Sequence, residues 1–205
     1  MKKTTFEAKT KEEAFDMAEK ALRVNRQYIQ LDIDEKRSMF GLKKHLDVTA
    51  KTDVDLLQLG YDVLANLFQN MGIEKAEIKT EQPQPYEFNY IIDTSHNPVL
   101  IGKNGKTLES VQFFIRNLLN IFTDERVIVL VDIGGYKANR KKQLEILATK
   151  TAKEVARTKV AVKLDPMNAY ERRIIHTKLA EWRDVITKSE GEKNKRYLVI
   201  RPKKS

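Results

Sequence analysis

Apolar residues alternate weakly over residues 4–8. Ala14, Phe15, Ala18 and Leu22 then recur at the three- and four-residue spacing of one helix face. Thr10 stands three residues before Glu13, the spacing at which a side-chain oxygen caps a first turn, so the helix begins there. Strand-like alternation follows over residues 28–33 and 45–49. The charged run 34–37, then Met39, Phe40 and Gly41, reads as the turn between those strands. The outline of this first segment is β-α-β-β.

A second pattern begins where Thr52 and Asp55 take capping-box spacing and Val54, Leu57, Tyr61, Leu64, Ala65 and Phe68 repeat at helical intervals as far as Gly72. Residues 73–79 and 86–92 read as two strands. The QPQP at 82–85 lacks the amide donors of a ladder, which predicts a hairpin loop there. Asn97 can cap a helix with Pro98 at its first position. The short turn 99–101 breaks at Gly102-Lys103-Asn104-Gly105. Leu108, Val111, Ile115, Leu118 and Phe122 then form the inward stripe of a further helix, and residues 126–132 a buried strand. The order is α-β-β-α-α-β.

After Gly134-Gly135 a long helix presents Leu144, Leu147, Ala148, Thr151 and Val155 on one face, with Lys137, Lys141, Lys142, Lys150, Lys153 and Arg157 outside it. Residues 160–164 are strand-like. Asp165-Pro166 marks a helix start, followed by apolar Met167, Tyr170, Ile174, Ile175 and Leu179. Strands at 185–188 and 197–201 are joined by the polar loop SEGEKNK. The chain therefore reads as α+β, in three small domains: residues 1–51 (β-α-β-β), 52–133 (α-β-β-α-α-β) and 134–205 (α-β-α-β-β). A unit of about 50 residues is marginal alone, so the first is expected to pack on something or to be loosely tethered.

Charge divides at the same places. Residues 1–52 carry 12 basic and 9 acidic side chains, residues 53–133 carry 6 and 12, and residues 134–205 carry 20 and 8, within an overall +9. A segment at +12 points to a polyanionic partner. The absence of Cys excludes a disulfide framework, a thiolate metal site and a Cys nucleophile, and it suits a reducing compartment. The longest apolar run, 127–131, is far short of the ~20 residues of a membrane span, so no integral membrane segment is expected. The charged start lacks the apolar core of a secretion signal, and the expected localisation is cytoplasmic.

Two constellations could carry chemistry. In Gly102-Lys103-Asn104-Gly105-Lys106 two glycines bracket a polar pair between two helices. Glycine lets backbone approach a ligand, and lysines on both sides suit a phosphodiester. The competing reading is a helix corner that needs glycine for packing. The second constellation is Arg172-Arg173-Ile174-Ile175-His176: Arg172 and His176 are four apart on one helix face, and Arg183 is placed on the same stripe. Arginine offers phosphate a planar fork, and histidine can stack on a base. A plain solvated helix face is the alternative.

With these residues in view, residues 52–133 resemble a KH domain of the bacterial, type II order. That resemblance implies that Gly102, Lys103, Asn104 and Gly105 clamp a nucleotide backbone, with Val99, Leu108 and Val111 lining an apolar groove for bases. Residues 134–202 resemble the domain named for its Arg-x-x-x-His motif, which binds single-stranded nucleic acid. The order of the three domains resembles the Jag family of bacterial RNA-binding proteins over essentially the whole chain. In that family the amino-terminal unit has a basic stretch with an F-G turn, which Lys36, Arg37, Phe40, Gly41, Lys43 and Lys44 fit. The resemblance implies a cytoplasmic regulator binding single-stranded RNA, with single-stranded DNA as the alternative ligand. It also implies a smaller single-KH protein as partner and a role in cell elongation, envelope growth or sporulation.

Enzymatic readings fit less well. Gly102 to Thr107 is two residues too short for a phosphate loop of the G-x-x-x-x-G-K-[ST] type. In VLVDIGG, 129–135, Lys137 stands where a methyltransferase cofactor turn needs another glycine. His45, His96 and His176 fall in three different segments with no metal-ligand spacing, and Asp93, Ser95 and His96 read as a polar loop. No catalytic residue, metal or cofactor is therefore assigned. The non-enzymatic rival is a scaffold whose +12 segment meets an acidic partner or an anionic membrane surface.

Overall fold

The computed structural model describes residues 1–37, 44–73 and 75–203. The chain is α+β and divides into two compact units, Met1–Gly134 and Gly135–Ser205.

The first unit holds two three-stranded sheets. Strands β1 (Lys3–Ala8), β2 (Ile29–Arg37) and β3 (Lys44–Thr52) make an antiparallel sheet in the order β1-β3-β2. Helix α1 (Lys11–Leu22) packs Ala14 and Ala18 on it, against Ala8 and Val48. Thr10 caps α1 as expected: its side chain accepts from the Glu13 amide at 3.1 Å, and Glu13 Oε2 accepts in return from the Lys9 amide at 2.8 Å. Phe40, Gly41 and Lys43, and with them the F-G turn, lie outside the described residues.

The second sheet, β4 (Ala76–Gln84), β5 (Glu87–Thr94) and β6 (Ile128–Ile133), pairs β4 with β5 antiparallel and β5 with β6 parallel. A parallel neighbour requires a crossover, supplied by α3 (Asn97–Ile101) and α4 (Lys106–Asn120). Helix α2 (Leu56–Asn70) buries Leu64 and Phe68, while α4 buries Leu108, Ile115 and Leu119. On the sheet, Phe88, Tyr90, Ile92, Val129, Val131 and Ile133 are buried. Each such aliphatic or aromatic side chain contributes roughly 1.5–3 kcal/mol relative to leaving it in water.

Several expectations are corrected here. The charged run 34–37 is strand rather than turn, because Asp34 to Arg37 stay paired with β3. The QPQP segment is not a loop: β4 runs on through Gln84, with an irregularity in register between Glu81 and Gln84, and the turn is at Pro85 and Tyr86. Because β4 is an edge strand, the missing amide of Pro83 costs no ladder bond. Helix α2 is capped by Asp55, whose side chain accepts from the Gln58 amide. Thr52 instead ends β3, where it is buried, with Oγ1 donating to Phe122 O at 2.8 Å and accepting from the Lys2 amide at 3.0 Å. Strand β6 is buried on one face only, since Ile128 and Leu130 are exposed. Asn97 is the first residue of α3 rather than its cap, and its amide group reaches back to the Thr94 amide and to Asp93 Oδ1.

Thr52, together with an edge-to-face contact of Tyr28 and Phe122 at 5.0 Å, seats the first sheet on the end of α4. A sheet of this size, too small to hold a core by itself, gains stability from that neighbour.

The second unit is a helix pair on a small sheet. Helices α5 (Tyr136–Thr158) and α6 (Ala169–Leu179) enclose a core with strands β7 (Val162–Lys163), β8 (Val185–Glu190) and β9 (Tyr197–Pro202), in sheet order β7-β9-β8. Its buried residues include Leu144, Ala148, Ala152, Val155, Ile175, Leu179 and Ile200. Leu147 and Tyr170, expected inside, are exposed. A helix turn of 3.6 residues carries Ala152, not Leu147, onto the buried stripe of α5. Helix α6 starts beyond Asp165-Pro166, at an Asn168–Glu171 capping box. Among the described residues no helix is long and apolar enough to cross a membrane.

Candidate nucleic-acid interface

The glycine turn of the first unit joins α3 to α4. Gly102 has φ 69° and ψ −176°, open to glycine almost alone, and a Cβ there would stand 2.1 Å from Thr107 Oγ1. Asn104 (φ 54°) and Gly105 (φ 75°) are also left-handed. Within the turn the Gly102 amide donates to Pro98 O, the Gly105 amide to Gly102 O and the Lys106 amide to Lys103 O. These three amides are spent on shaping the bend. What it presents outward is the exposed trio Lys103, Asn104 and Lys106, with Gly105 buried beneath. Of the three apolar residues read as a groove, only Val99 is open, at 58% exposure. Leu108 and Val111, at 2% and 9%, belong to the core.

In the second unit Arg172 and His176 lie four residues apart on α6, a rise of about 6 Å. Thr187 and Ser189 lie two apart on β8, about 6.6 Å. The matched spacing makes two rungs: an Arg172 guanidinium nitrogen donates to Ser189 Oγ, and His176 Nδ1 is hydrogen-bonded to Thr187 Oγ1. Arg196 Nη2 donates to the same Ser189 oxygen at 3.4 Å. Arg172 Nε is buried and has no hydrogen-bond partner among the described residues. A buried donor left unmatched costs about 1–3 kcal/mol until an acceptor arrives.

Helix α6 itself is set by Glu171, buried at 5% exposure, whose Oε1 accepts from Arg140 Nε of α5 at 2.7 Å. The remaining arginines of this constellation fall apart. Arg173 is about 100° around the helix from Arg172. Arg183 is not on the stripe at all, because α6 ends at Leu179. Sequence reasoning missed Thr187, Ser189 and Arg196. The two hydroxyls at strand spacing were the available signal, unreadable without knowing that β8 neighbours α6.

Other clusters hold less. Glu7, His45 and Asp47 bring ligand atoms within 4.8 Å of one another. However, Lys36 Nζ sits 2.5 Å from Asp47 Oδ2, where a cation would need to approach. The Lys36 hydrogen bond holds the Asp47 carboxyl below its ordinary range, and Asp47 raises the lysine. Ser95 Oγ lies 3.0 Å from His96 Nδ1, but Asp93 accepts from Asn97 Nδ2, so these three do not line up as a proton relay.

Comparison with known proteins agrees with this division. The family model of the Arg-x-x-x-His domain matches residues 142–202, a span that contains both Arg172 and His176. Over 204 residues the chain is 34% identical to the protein named RNA-binding protein KhpB of Clostridium symbiosum, covering 98% of this chain and 91% of that one. Proteins of the same name from Bacillus subtilis and Lactiplantibacillus plantarum are 35% identical over 127 residues and 38% identical over 108 residues. These matches cover 61% and 53% of this chain, and 61% and 34% of those relatives.

Proposed function

The chain belongs to the KhpB (Jag) family, and on that footing we propose that it is a non-enzymatic RNA-binding regulatory protein that holds single-stranded RNA in two places. The observation that carries the reading is the rung of Arg172 on Ser189, with a buried, unmatched Nε–H in a unit whose residues 135–205 carry 20 basic and 8 acidic side chains. A phosphate oxygen meets that donor with a charge-assisted bond, and His176 beside it offers an imidazole to a base or a second phosphate.

The glycine turn is the second hold. The α-β-β-α-α-β order and the left-handed bend support reading residues 52–133 as a type II KH domain. There Lys103 and Asn104 meet the backbone through their side chains, with Gly102, Gly105 and Lys106 shaping and charging the turn and Val99 beside it. On this reading the three domains are 1–51, 52–133 and 134–205. The work is done in the cytoplasm, alongside a smaller single-KH protein, in control of envelope growth. Two modest holds on one chain reinforce each other through effective concentration.

The test is RNA binding by the full chain. Arg172→Ala with His176→Ala is expected to weaken affinity tenfold or more, since a hydrogen bond to a charged group is worth about 1.5–3 kcal/mol. Lys103→Asp with Asn104→Asp is expected to weaken it independently. Wild-type affinity in both folded variants would remove the proposal.

A further inference from the structure

Outside both constellations, an open groove of about 550 Å³ runs between α5 and α6, lined by Lys142, Glu145, Ile146, Thr149, Lys150, Lys153 and Lys178. It lies apart from the Arg172–His176 rungs. On α6 the buried stripe of Glu171, Ile175 and Leu179 has Arg172 and His176 on one flank and Lys178 on the other, since successive residues advance about 100°. Along α5 the lysines from 142 to 153 extend over about 16 Å.

Four ammonium groups stand around one groove with a single carboxylate, Glu145, and none of the four makes an ion pair among the described residues. Like charges gathered without counter-charge repel, and an anionic occupant removes that cost. The chemistry of the lining narrows the occupant. No aromatic ring is present to stack a base, and no arginine to fork onto a base edge or a terminal phosphate. Lysines are flexible point charges suited to a succession of phosphates of any sequence. An open groove two to three helix turns long fits a polymer better than a small phosphate ester, which needs walls.

We propose that the α5–α6 groove is a sequence-blind track for the phosphodiester backbone of single-stranded RNA, separate from the strand contact at Arg172 and His176. The proposal rests on the RNA-binding reading above and extends it: the second unit would engage one RNA on both flanks of α6, so long RNAs gain a contact that short ones cannot reach.

The experiment measures binding of the folded full chain to a long and a short unstructured oligouridine across a salt series. For the quadruple Lys142→Gln, Lys150→Gln, Lys153→Gln, Lys178→Gln variant, the slope of log K against log salt on the long RNA should become shallower by about 2–3, near 0.7 per lost contact. An oligoadenylate should show the same change, the short RNA little change, and the matching quadruple Lys→Arg variant should keep the wild-type slope. An unchanged slope in the Gln variant, while Arg172→Ala with His176→Ala weakens binding, overturns the groove and leaves the RNA-binding reading standing. No binding of either RNA by the wild-type chain overturns both. Loss of binding to poly-glutamate or anionic vesicles with an unchanged RNA slope gives the groove a different occupant, and also overturns the proposal.

Discussion

Arg140 Nε of helix α5 stands 2.7 Å from Glu171 Oε1 of helix α6, and the same carboxylate closes the capping box with Asn168. One buried side chain therefore fixes both the start of α6 and its angle to α5, one residue before Arg172. Such a group is costly to remove, because its partner is left charged and poorly hydrated.

Glu171→Ala is accordingly expected to lower the unfolding free energy by roughly 2–4 kcal/mol, combining a broken, largely buried pair with a lost cap. A urea titration checks it. A change under about 0.5 kcal/mol, the range of ordinary surface substitutions, would show that the pair contributes nothing to α6.

Gly102→Ala should cost about 1–3 kcal/mol, because φ 69° with ψ −176° excludes a side chain and Thr107 Oγ1 occupies the space of a Cβ. Adding Thr107→Ala clears the collision without changing the dihedral angles. The double variant should therefore recover only part of the loss, and full recovery in denaturant midpoints would assign the whole effect to the collision.

Thr52→Val should loosen the first sheet from the end of α4. The hydroxyl joins Phe122 O and the Lys2 amide, so its loss strips two backbone groups of a partner they share, at about 1–3 kcal/mol. Hydrogen exchange at β1 and β3 should accelerate more than at β5. Equal acceleration everywhere would mean that Thr52 supports the unit globally rather than at this seam.

Alkaline pH should destabilise the first unit through Tyr90. Burial, with Asp55 adding a negative charge nearby, raises its phenol above the ordinary value of 10.0. The folded state thus keeps the proton to higher pH than the unfolded state does. Stability is fully present below about pH 10 and falls as pH rises above it. Tyr90→Phe, which also loses the hydrogen bond to Leu57 O, should flatten that decline in thermal unfolding measured across the range.

Much of this was legible along the chain. The helical stripe of Ala14, Ala18 and Leu22, the Thr10 cap and the bend at Gly102 and Gly105 are local matters of spacing and of which residues tolerate a left-handed backbone. Amino-acid order also placed Arg172 and His176 on one face, because four residues make just over one turn. Position in space altered the rest. Pro83 entered a strand because β4 lies at an edge, Thr52 left its expected cap to meet Phe122, and Leu108 and Val111 went into the core where a groove was expected. Arg183 dropped out when α6 stopped at Leu179.

The chain order by itself determined the helices, most strands, the α+β class and the basic character of residues 134–205, since periodicity, capping and charge are properties of neighbours in sequence. Only the tertiary structure decided that Ser189 and Thr187 meet Arg172 and His176, and that Lys178 joins the lysines of α5 around one groove. Those meetings join residues 11 to 36 positions apart, and their partners are set by how the buried faces of α5, α6 and β8 pack, which no local spacing encodes.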